Sequence, residues 1–339
     1  LLMTSCATQV NLSKDQKILS KNKITIKSTK GVNVDLLKTK SELFTLLKQK
    51  PNRRWLFIVQ RKNVYSYLDK RKNKKVLFRK TLEKIAEPPS ILDEGLVLTT
   101  KLNMFNFLYN KGYFNVQVDT KIKAPNKKAI VEYQVNLNKL FTIDSITYTI
   151  DDPNIQKILD KNAKDSYLKP GKPVDNLLFQ TEKSRITDLL TSSGYAEFNT
   201  LYIQNLDLDT SNRKTIVKLE ISNPDSKTKH KRYLVSGINI YTDYNPNIEQ
   251  DINITKLDSI NFHSAKSNYY IKNSILSKKI LFKPGDVYNK RKLDSTYFQL
   301  SKLEYFRFIN METVVDSSSS NQLIHNIYLT PNNKWVFDI

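Results

Sequence analysis

The sequence is poor in the residues that catalytic and metal-binding sites most often use. The three histidines, His230, His263 and His325, lie in separate segments without HxxH or HExxH spacing. There are only seven glycines in 339 residues, and neither a GxGxxG nor a GxxxxGK(S/T) phosphate-binding loop is present. These absences predict a chain that is not an enzyme and that holds no metal or cofactor.

Cysteine and long apolar runs are also scarce. The single cysteine, Cys6, forms no disulfide within the chain. No uninterrupted apolar run approaches the ~20 residues that a transmembrane helix needs. The run from Leu1 to Cys6 is typical of the end of a signal peptide followed by a lipidated cysteine, although an ordinary cysteine near a terminus is the alternative. We expect residues 1–20 to be a lipoprotein signal remnant and a polar tether, with Cys6 as the lipid anchor.

Positive charge, in contrast, is abundant. The chain has 55 lysine and arginine residues against 33 aspartate and glutamate residues, which gives a net charge of +22. Such a balance indicates an anionic partner, either nucleic acid or a membrane surface, or else a composition that places lysine on every surface. Because the lysines are spread over the whole chain, we favour the second interpretation.

Three stretches of the chain repeat one order of elements: a proline-containing turn, a helix and an aromatic strand. The turns are at Pro88-Pro89, Pro170-Gly171 and Pro284-Gly285. The predicted apolar stripes of the helices are Leu98, Leu102, Phe105 and Leu108; Phe179, Ile186, Leu189 and Leu190; and Leu293, Tyr297, Leu300 and Leu303. The predicted strands that follow are residues 113–122, 195–203 and 305–315.

Each repeated stretch is preceded by a strand and a helix and is followed by a closing strand. This order, β-α-α-β-β, predicts an α+β fold in which a small three-stranded mixed sheet is covered by two helices on one face. The closing strand is expected in the centre, and the strand after the second helix at an edge. The predicted domains are 21–138, with a helical insertion at 52–87, then 139–223 and 230–333. Within the third domain, residues 243–268 read as a loop and 269–282 as a helix.

The insertion at 52–87 combines basic clusters with apolar residues such as Trp55 and Leu68. One interpretation is a helix that lies on a membrane surface. The other is a solvated helix packed on the first domain. Both remain open from the sequence.

Short motifs carry a resemblance to a known family. They are Lys169–Gly171 with Gly194–Phe198, Lys283–Asp286 with Tyr305–Phe308, and Lys84–Pro89 with Asn110–Asn115. In these motifs residues 21–333 resemble tandem POTRA domains, the periplasmic modules of the BamA/TamA family of outer-membrane assembly factors. The first of the three copies, together with Cys6, is most similar to the TamA-like lipoproteins of Bacteroidetes.

The resemblance implies a non-enzymatic binding module at the outer membrane, with its domains facing the periplasm. Its expected partners are outer-membrane proteins or periplasmic proteins, and residues 334–339 would begin a C-terminal membrane barrel. Extended clients would add to exposed edge strands through main-chain hydrogen bonds. The residues expected at these edges are Phe198, Asn199, Thr200, Leu201, Tyr202, Ile203, Phe308, Ile309, Asn310, Met311, Glu312, Val116 and Val118.

An alternative function is nucleic-acid binding by lysines together with stacking aromatic side chains. Seven aromatic residues of the predicted edge strands would supply the stacking surface: Tyr113, Phe114, Tyr195, Phe198, Tyr202, Phe306 and Phe308. Burial of the same residues in small cores would exclude it.

Overall fold

The computed structural model describes residues 12–13, 15–28, 35–55, 59–209, 215–225, 228–245, 253–265 and 271–332, with only the backbone at 205–209. Cys6 and the stretch 334–339 lie outside the described residues. The chain divides into two compact units, Leu1–Thr142 with Gly171–Leu177 and Ile143–Pro170 with Leu178–Ile339.

The first repeat builds a three-stranded mixed sheet with a helical insertion. Its elements are β1 (Ile18–Lys27), α1 (Leu36–Thr45), β2 (Arg54–Trp55), β3 (Val59–Gln60), α2 (Arg61–Asp69), α3 (Arg79–Ile85), α4 (Glu94–Asn110), β4 (Gln117–Lys123) and β5 (Lys128–Asn136). The closing strand β5 is central, parallel to β1 and antiparallel to β4. The core lies between one face of this sheet and the helices α1 and α4. The insertion forms the short hairpin β2–β3 and the helix pair α2–α3.

The second repeat has the same topology without an insertion. It consists of β6 (Ile143–Ile150), α5 (Pro153–Lys161), α6 (Asn176–Thr191), β7 (Ile203–Asp209) and β8 (Thr215–Ile221). The strand order is β6-β8-β7, so the closing strand is again central. Asp152 caps α5 by accepting a hydrogen bond from Asn154 N, as its place before Pro153 predicts.

The third repeat has a larger sheet than the sequence predicts. Its elements are β9 (Leu234–Tyr241), β10 (Asn253–Leu257), β11 (Ile260–Ser264), α7 (Asn273–Ser277), α8 (Lys290–Ser301), β12 (Phe306–Val315) and β13 (Gln322–Pro331). The order is β10-β11-β9-β13-β12, with β13 between the parallel β9 and the antiparallel β12. The prediction of a three-stranded sheet is therefore incomplete here, because the hairpin β10–β11 extends the sheet beyond β9.

Two local predictions for the third repeat are wrong. Residues 253–264, expected within a loop, form the hairpin because Asp258 and Ser259 adopt φ of 51° and 63° in a tight two-residue turn. Ile260 and Phe262 then alternate into the core, which was the available signal. The helix expected at 269–282 is short, since α7 covers only Asn273–Ser277.

The buried face of α4 also differs from the predicted stripe. Val97, Thr100, Met104 and Leu108 are buried, whereas Leu98 and Leu102 are more than half exposed. This helix carries apolar residues on most of its circumference, so periodicity alone does not choose between two neighbouring faces. Packing against the sheet determines which face of α4 is buried.

A buried polar side chain on the second helix of each repeat binds the segment that follows the first helix. Thr100 Oγ1 accepts from Lys48 N at 3.1 Å, and Thr296 Oγ1 accepts from Leu281 N at 3.1 Å. In the second repeat Glu182 Oε2 accepts from Tyr167 N at 2.9 Å. These contacts satisfy backbone donors of an irregular segment, because an unpaired buried N–H is costly.

The second helix of each repeat is followed by a residue in the left-handed backbone conformation. Gly112 and Gly194 have φ of 92° and 110°, and Glu304 takes the matching position in the third repeat with φ of 52°. The carbonyl of Gly112 accepts from Phe141 N at 3.0 Å. That of Gly194 accepts from Tyr233 N at 2.8 Å, and Asn289 Nδ2 donates to Ser192 O at 2.8 Å. The carbonyls directly after the end of α6 are thus bound by residues of the third repeat.

Candidate functional site

The outer edges of the three sheets differ in how readily they could pair with another strand. The edge strands predicted from the closing hairpins are β4, β7 and β12. β4 carries Asp119, Lys121 and Lys123 in seven residues, and such charges discourage pairing with another strand. β12 is ten residues long, contains no proline, and has charged side chains only at Arg307 and Glu312. Of β4 and β12, the strand β12 is therefore the edge better suited to accept another strand.

The hairpin register shows which backbone groups of β12 point outward. Asp316 N donates to Gln322 O across the hairpin, and hydrogen-bonded pairs recur at every second residue of an antiparallel ladder. Phe308, Asn310, Glu312 and Val314 consequently direct their N–H groups toward β13. The N–H groups of Ile309, Met311 and Thr313 point away from the sheet. Within the described part of the chain, no strand pairs with this outer side.

The side chains of β12 divide between two environments. Ile309 and Met311 pack against the core under α8, and Thr313 Oγ1 lies 2.8 Å from His325 Nδ1. On the opposite face Phe308 is 60% exposed, and Asn310 and Glu312 are exposed. An added strand would therefore meet an apolar, an amide and an acidic side chain on one face, which can give specificity beyond the main-chain bonds.

The helix-free face of the third sheet carries a row of stacked rings beside this edge. Tyr241 stacks on Tyr328 at 4.7 Å and on His263 at 4.5 Å, measured between ring centroids. The Tyr328 hydroxyl donates to Glu312 Oε2 at 3.3 Å. Burial, with the neighbouring Tyr241 and Glu312, raises the pKa of Tyr328 to about 12. The ring row thus connects the strands β9 and β13 to the edge strand β12, through the hydrogen bond between Tyr328 and Glu312.

An amide ladder runs parallel to the ring row. Asn261 Nδ2 donates to Asn239 Oδ1 at 3.1 Å, and Asn239 Nδ2 donates to Asn326 Oδ1 at 2.9 Å. Neither row was predicted from the sequence. The alternation of polar and apolar residues along β9 and β13 was the signal that could have placed them on one face.

The predicted edge at Phe198–Ile203 is wrong for all residues but the last. Phe198 is 3% exposed within the core, and Thr200–Tyr202 form a 3₁₀ helix. The alternation of Phe198, Thr200 and Tyr202 resembles a strand, but Asn199 Oδ1 accepts from Leu201 N at 2.9 Å and closes a turn instead. The strand β7 begins only at Ile203, so Asn199, Thr200 and Leu201 lie on an exposed turn.

The remaining predicted site residues lie on or beside edge strands. Phe308, Ile309, Asn310, Met311 and Glu312 all belong to β12. Val118 lies in β4 and Val116 precedes it, but both side chains are buried in the first core, so only their backbone could reach a partner.

The seven aromatic residues of the predicted edge strands do not assemble a stacking surface for nucleic acid. Tyr113, Tyr195 and Phe198 are buried in the cores, and Phe308 alone of the seven is exposed. Phe198 and Tyr202 instead enclose the His230 ring at 4.9 and 4.7 Å between centroids. The main structural support for the nucleic-acid alternative is therefore missing.

The histidines occupy separate aromatic surroundings. His325 is buried between Phe282 and Tyr288, and burial lowers its pKa to about 4. Burial also lowers the pKa of His263. Across the described ranges, no group of three histidine, cysteine, aspartate or glutamate residues could hold a metal ion. None of the helices described is long and apolar enough to cross a membrane.

Comparison with known proteins gave likenesses only among solved structures. No family model matches the chain, and no curated protein matches it. POTRA domains 3–5 of BamA from Haemophilus influenzae are 12% identical, with a TM-score of 0.41 over 95% of this chain and 100% of that chain. POTRA domains 1–3 of Omp85 from Anabaena are 10% identical, with a TM-score of 0.31 over 94% and 98%. The N-terminal domain of Omp85 from Thermosynechococcus elongatus is 9% identical, with a TM-score of 0.29 over 95% and 100%.

Proposed function

We propose that the chain is a tandem array of POTRA domains, the periplasmic part of an outer-membrane assembly or translocation factor, and that its role is binding rather than catalysis. Its own topology supports this role. All three repeats pack two core helices before a closing hairpin, with the additional pair α2–α3 inserted in the first repeat, and the closing strand lies between the hairpin partner and the first strand. The turn motifs at Pro170-Gly171 and Pro284-Gly285 occur at the same point of the second and third repeats, with φ of 82° and 90° at the glycines.

The working surface of this array is the outer edge of β12. The observation that carries the proposal is the ten-residue edge whose outward N–H groups at Ile309, Met311 and Thr313 have no strand partner in the described chain. An extended segment of an outer-membrane or periplasmic protein would pair with these groups. Main-chain pairing requires no fixed client sequence, which suits a factor that handles many clients.

The test compares two substitutions of one residue. Met311→Pro removes an outward N–H but leaves the bonds from β12 to β13, because those come from the neighbouring residues. Met311→Ala removes the same side chain and keeps the N–H. We expect both variants to fold, and only Met311→Pro to lose binding of an unfolded outer-membrane protein in a pull-down. Equal binding by the two variants would show that the β12 edge is not the working surface.

A second measurement locates the contact. Amide hydrogen exchange is followed with and without the unfolded client, and Ile309, Met311 and Thr313 are expected to gain protection while the charged edge β4 does not. Protection confined to β4 would contradict the choice of β12.

The same proposal places the protein at the outer membrane, with the lipid anchor on Cys6 and the three domains in the periplasm. The sequence around Cys6 supports this anchor. Expression of the full gene followed by mass analysis of the N-terminal peptide is expected to find acyl mass on Cys6. A peptide with an unmodified Cys6 would exclude the anchor and would leave the strand-binding proposal standing.

A further inference from the structure

We propose that the helix pair α2–α3 ends in a tip that binds the surface of an anionic lipid bilayer. The tip comprises Lys70–Lys80, the turn between the two helices and the start of α3. The tip shares no residue with the β12 edge, and neither the edge nor the lipid anchor is needed for it.

The first observation is the charge of the tip. Residues 70–80 contain seven basic residues and no acidic residue, whereas the whole chain has 55 basic residues against 33 acidic ones. The lysines of the tip are exposed. A lysine or arginine close to an anionic membrane is attracted to it, so a cluster of this size favours binding of the tip at such a surface.

The second observation is an exposed apolar pair in the middle of these lysines. Leu77 is 79% exposed and Phe78 is 72% exposed, and the two are adjacent. Neighbouring apolar side chains of this size gain free energy when they leave water. An apolar pair ringed by lysines matches the boundary between lipid headgroups and acyl chains, where each kind of group meets its preferred surroundings.

The third observation is that the backbone holds this pair outward. Phe78 adopts φ of 56° and ψ of 30°, the left-handed region that a bulky residue rarely occupies. Its carbonyl accepts from Thr81 N and Leu82 N, both at 3.0 Å, and so begins α3. The strained residue is therefore fixed by the helix that follows it.

Arg79 fixes the rest of the turn. Its Nη2 donates to Arg71 O at 2.6 Å and to Lys74 O at 3.1 Å, and its Nη1 lies 3.5 Å from Glu83 Oε1. Arg71 in turn covers the Tyr67 ring at 4.1 Å. Arg79 thus closes the turn. Lys72 pairs with Asp69 at 3.1 Å, and the side chains of Lys70, Lys74, Lys75 and Lys80 are exposed and can face an anionic surface. A preformed tip loses less entropy on binding than a disordered one.

A nucleic acid would use the lysines but has no use for the exposed pair. Phosphate contacts would explain the lysines but not the exposed apolar pair. Stacking on bases requires several aromatic side chains, and residues 70–80 contain only Phe78. Lipid explains both observations together. Nucleic acid would bind through the lysines alone, and the experiment below separates the two ligands.

The experiment uses the full chain with Cys6→Ala, so that no lipid anchor contributes. The protein is sedimented with vesicles of phosphatidylcholine, and with vesicles of phosphatidylcholine mixed with phosphatidylglycerol, over a range of salt concentrations. We expect binding to the anionic vesicles, and we expect it to weaken as salt rises.

Two variants separate the apolar and the charged contributions. Leu77→Ser with Phe78→Ser is expected to weaken vesicle binding at least about tenfold at every salt concentration, since the buried apolar area is lost. Lys72→Gln with Lys74→Gln and Lys75→Gln is expected to flatten the salt dependence. The control is Leu201→Ser, because Leu201 is 83% exposed on a turn whose neighbours are uncharged, and vesicle binding should not change.

Two results would overturn the proposal. One is binding that the Leu77 and Phe78 substitutions leave unchanged, or that is equal on neutral and anionic vesicles. The other is displacement of the protein from vesicles by short duplex DNA, together with equal DNA binding by the serine variant and the parent protein. That result would assign the tip to nucleic acid.

Discussion

At the scale of single residues, the same backbone conformation has different consequences in different surroundings. Gly194 and Gly285 both have positive φ, of 110° and 90°. A Cβ built on Gly285 meets nothing within 4 Å, whereas one on Gly194 would lie 2.8 Å from Val287 Cγ1 and 2.7 Å from Arg232 Cγ. Only the conformation of its turn therefore requires a glycine at 285. At 194 a glycine is required both by the positive φ and by the third repeat, which packs on the end of α6.

We predict that Gly194→Ala destabilises the protein more than Gly285→Ala does. Both substitutions place an alanine at positive φ, with a cost of about 1 kcal/mol. At Gly194 the contact with Val287 adds to that cost and raises the total to about 3 kcal/mol. Urea unfolding of the two variants measures the difference, and equal midpoints would contradict the contact.

His325 makes the third repeat sensitive to acid. Burial lowers its pKa from 6.5 to about 4, so the unfolded chain binds a proton at pH values where the folded chain does not. The histidine's contribution is fully present above pH 6.5 and is lost as pH falls toward 4, by roughly 3 kcal/mol in total. We predict that unfolding free energy falls over this window and that His325→Gln flattens the decline. An unchanged pH profile in His325→Gln would assign the decline to other groups.

At the scale of elements, the second helix of each repeat is held by a polar contact inside an apolar core. Glu182 is the extreme case, with a fully buried carboxylate that accepts from Arg185 Nη2 at 2.7 Å and from Tyr167 N at 2.9 Å. Burial opposes its charged form, but the Arg185 guanidinium and the Tyr167 N–H outweigh burial and lower the pKa of Glu182. Tyr148 donates to the same carboxylate at 3.3 Å. The pair thus ties α6 to β6 and to the segment after α5.

We predict that Glu182→Gln costs about 3 kcal/mol, because it leaves the largely buried Arg185 without its counter-charge while it preserves an acceptor for Tyr167 N. Replacement of both partners by leucine removes the stranded charge and is expected to cost less than the single change. Urea unfolding of the single and double variants tests the order. A double variant less stable than Glu182→Gln would show that the hydrogen bonds, rather than the charge balance, stabilise this helix.

At the scale of the whole molecule, the net charge of +22 is distributed over many surfaces, and of the seven aromatic residues of the predicted edge strands only Phe308 is exposed. Lysines of this kind attract any polyanion without selecting a sequence. The tip at residues 70–80 differs from this background, since it combines charge with an exposed apolar pair.

We predict that the chain binds DNA or RNA only weakly and without sequence preference. The affinity should fall steeply and linearly on a plot of log affinity against log salt concentration, because counterion release would supply all of it. Electrophoretic mobility shifts with two unrelated sequences measure this. Salt-resistant and sequence-selective binding would restore the nucleic-acid alternative.

The sequence by itself determined the features that depend on neighbours along the chain. The three turn–helix–strand stretches, the helix starts at Asp152 and Asp175, and the central position of the closing strands follow from local spacing and from the β-α-α-β-β order. Turns and caps are made by residues a few positions apart, so one sequence contains all that they require.

Only the tertiary structure decided the features that depend on contacts between distant residues. It chose the buried face of α4, added the hairpin β10–β11 beside β9, and turned Thr200–Tyr202 into a 3₁₀ helix above a buried Phe198. Of the two edges predicted at 198–203 and 308–312, it kept only the second as a strand over its full length. In each case two local conformations fit the same residues about equally well, and the packing of segments far apart in the chain selects one of them.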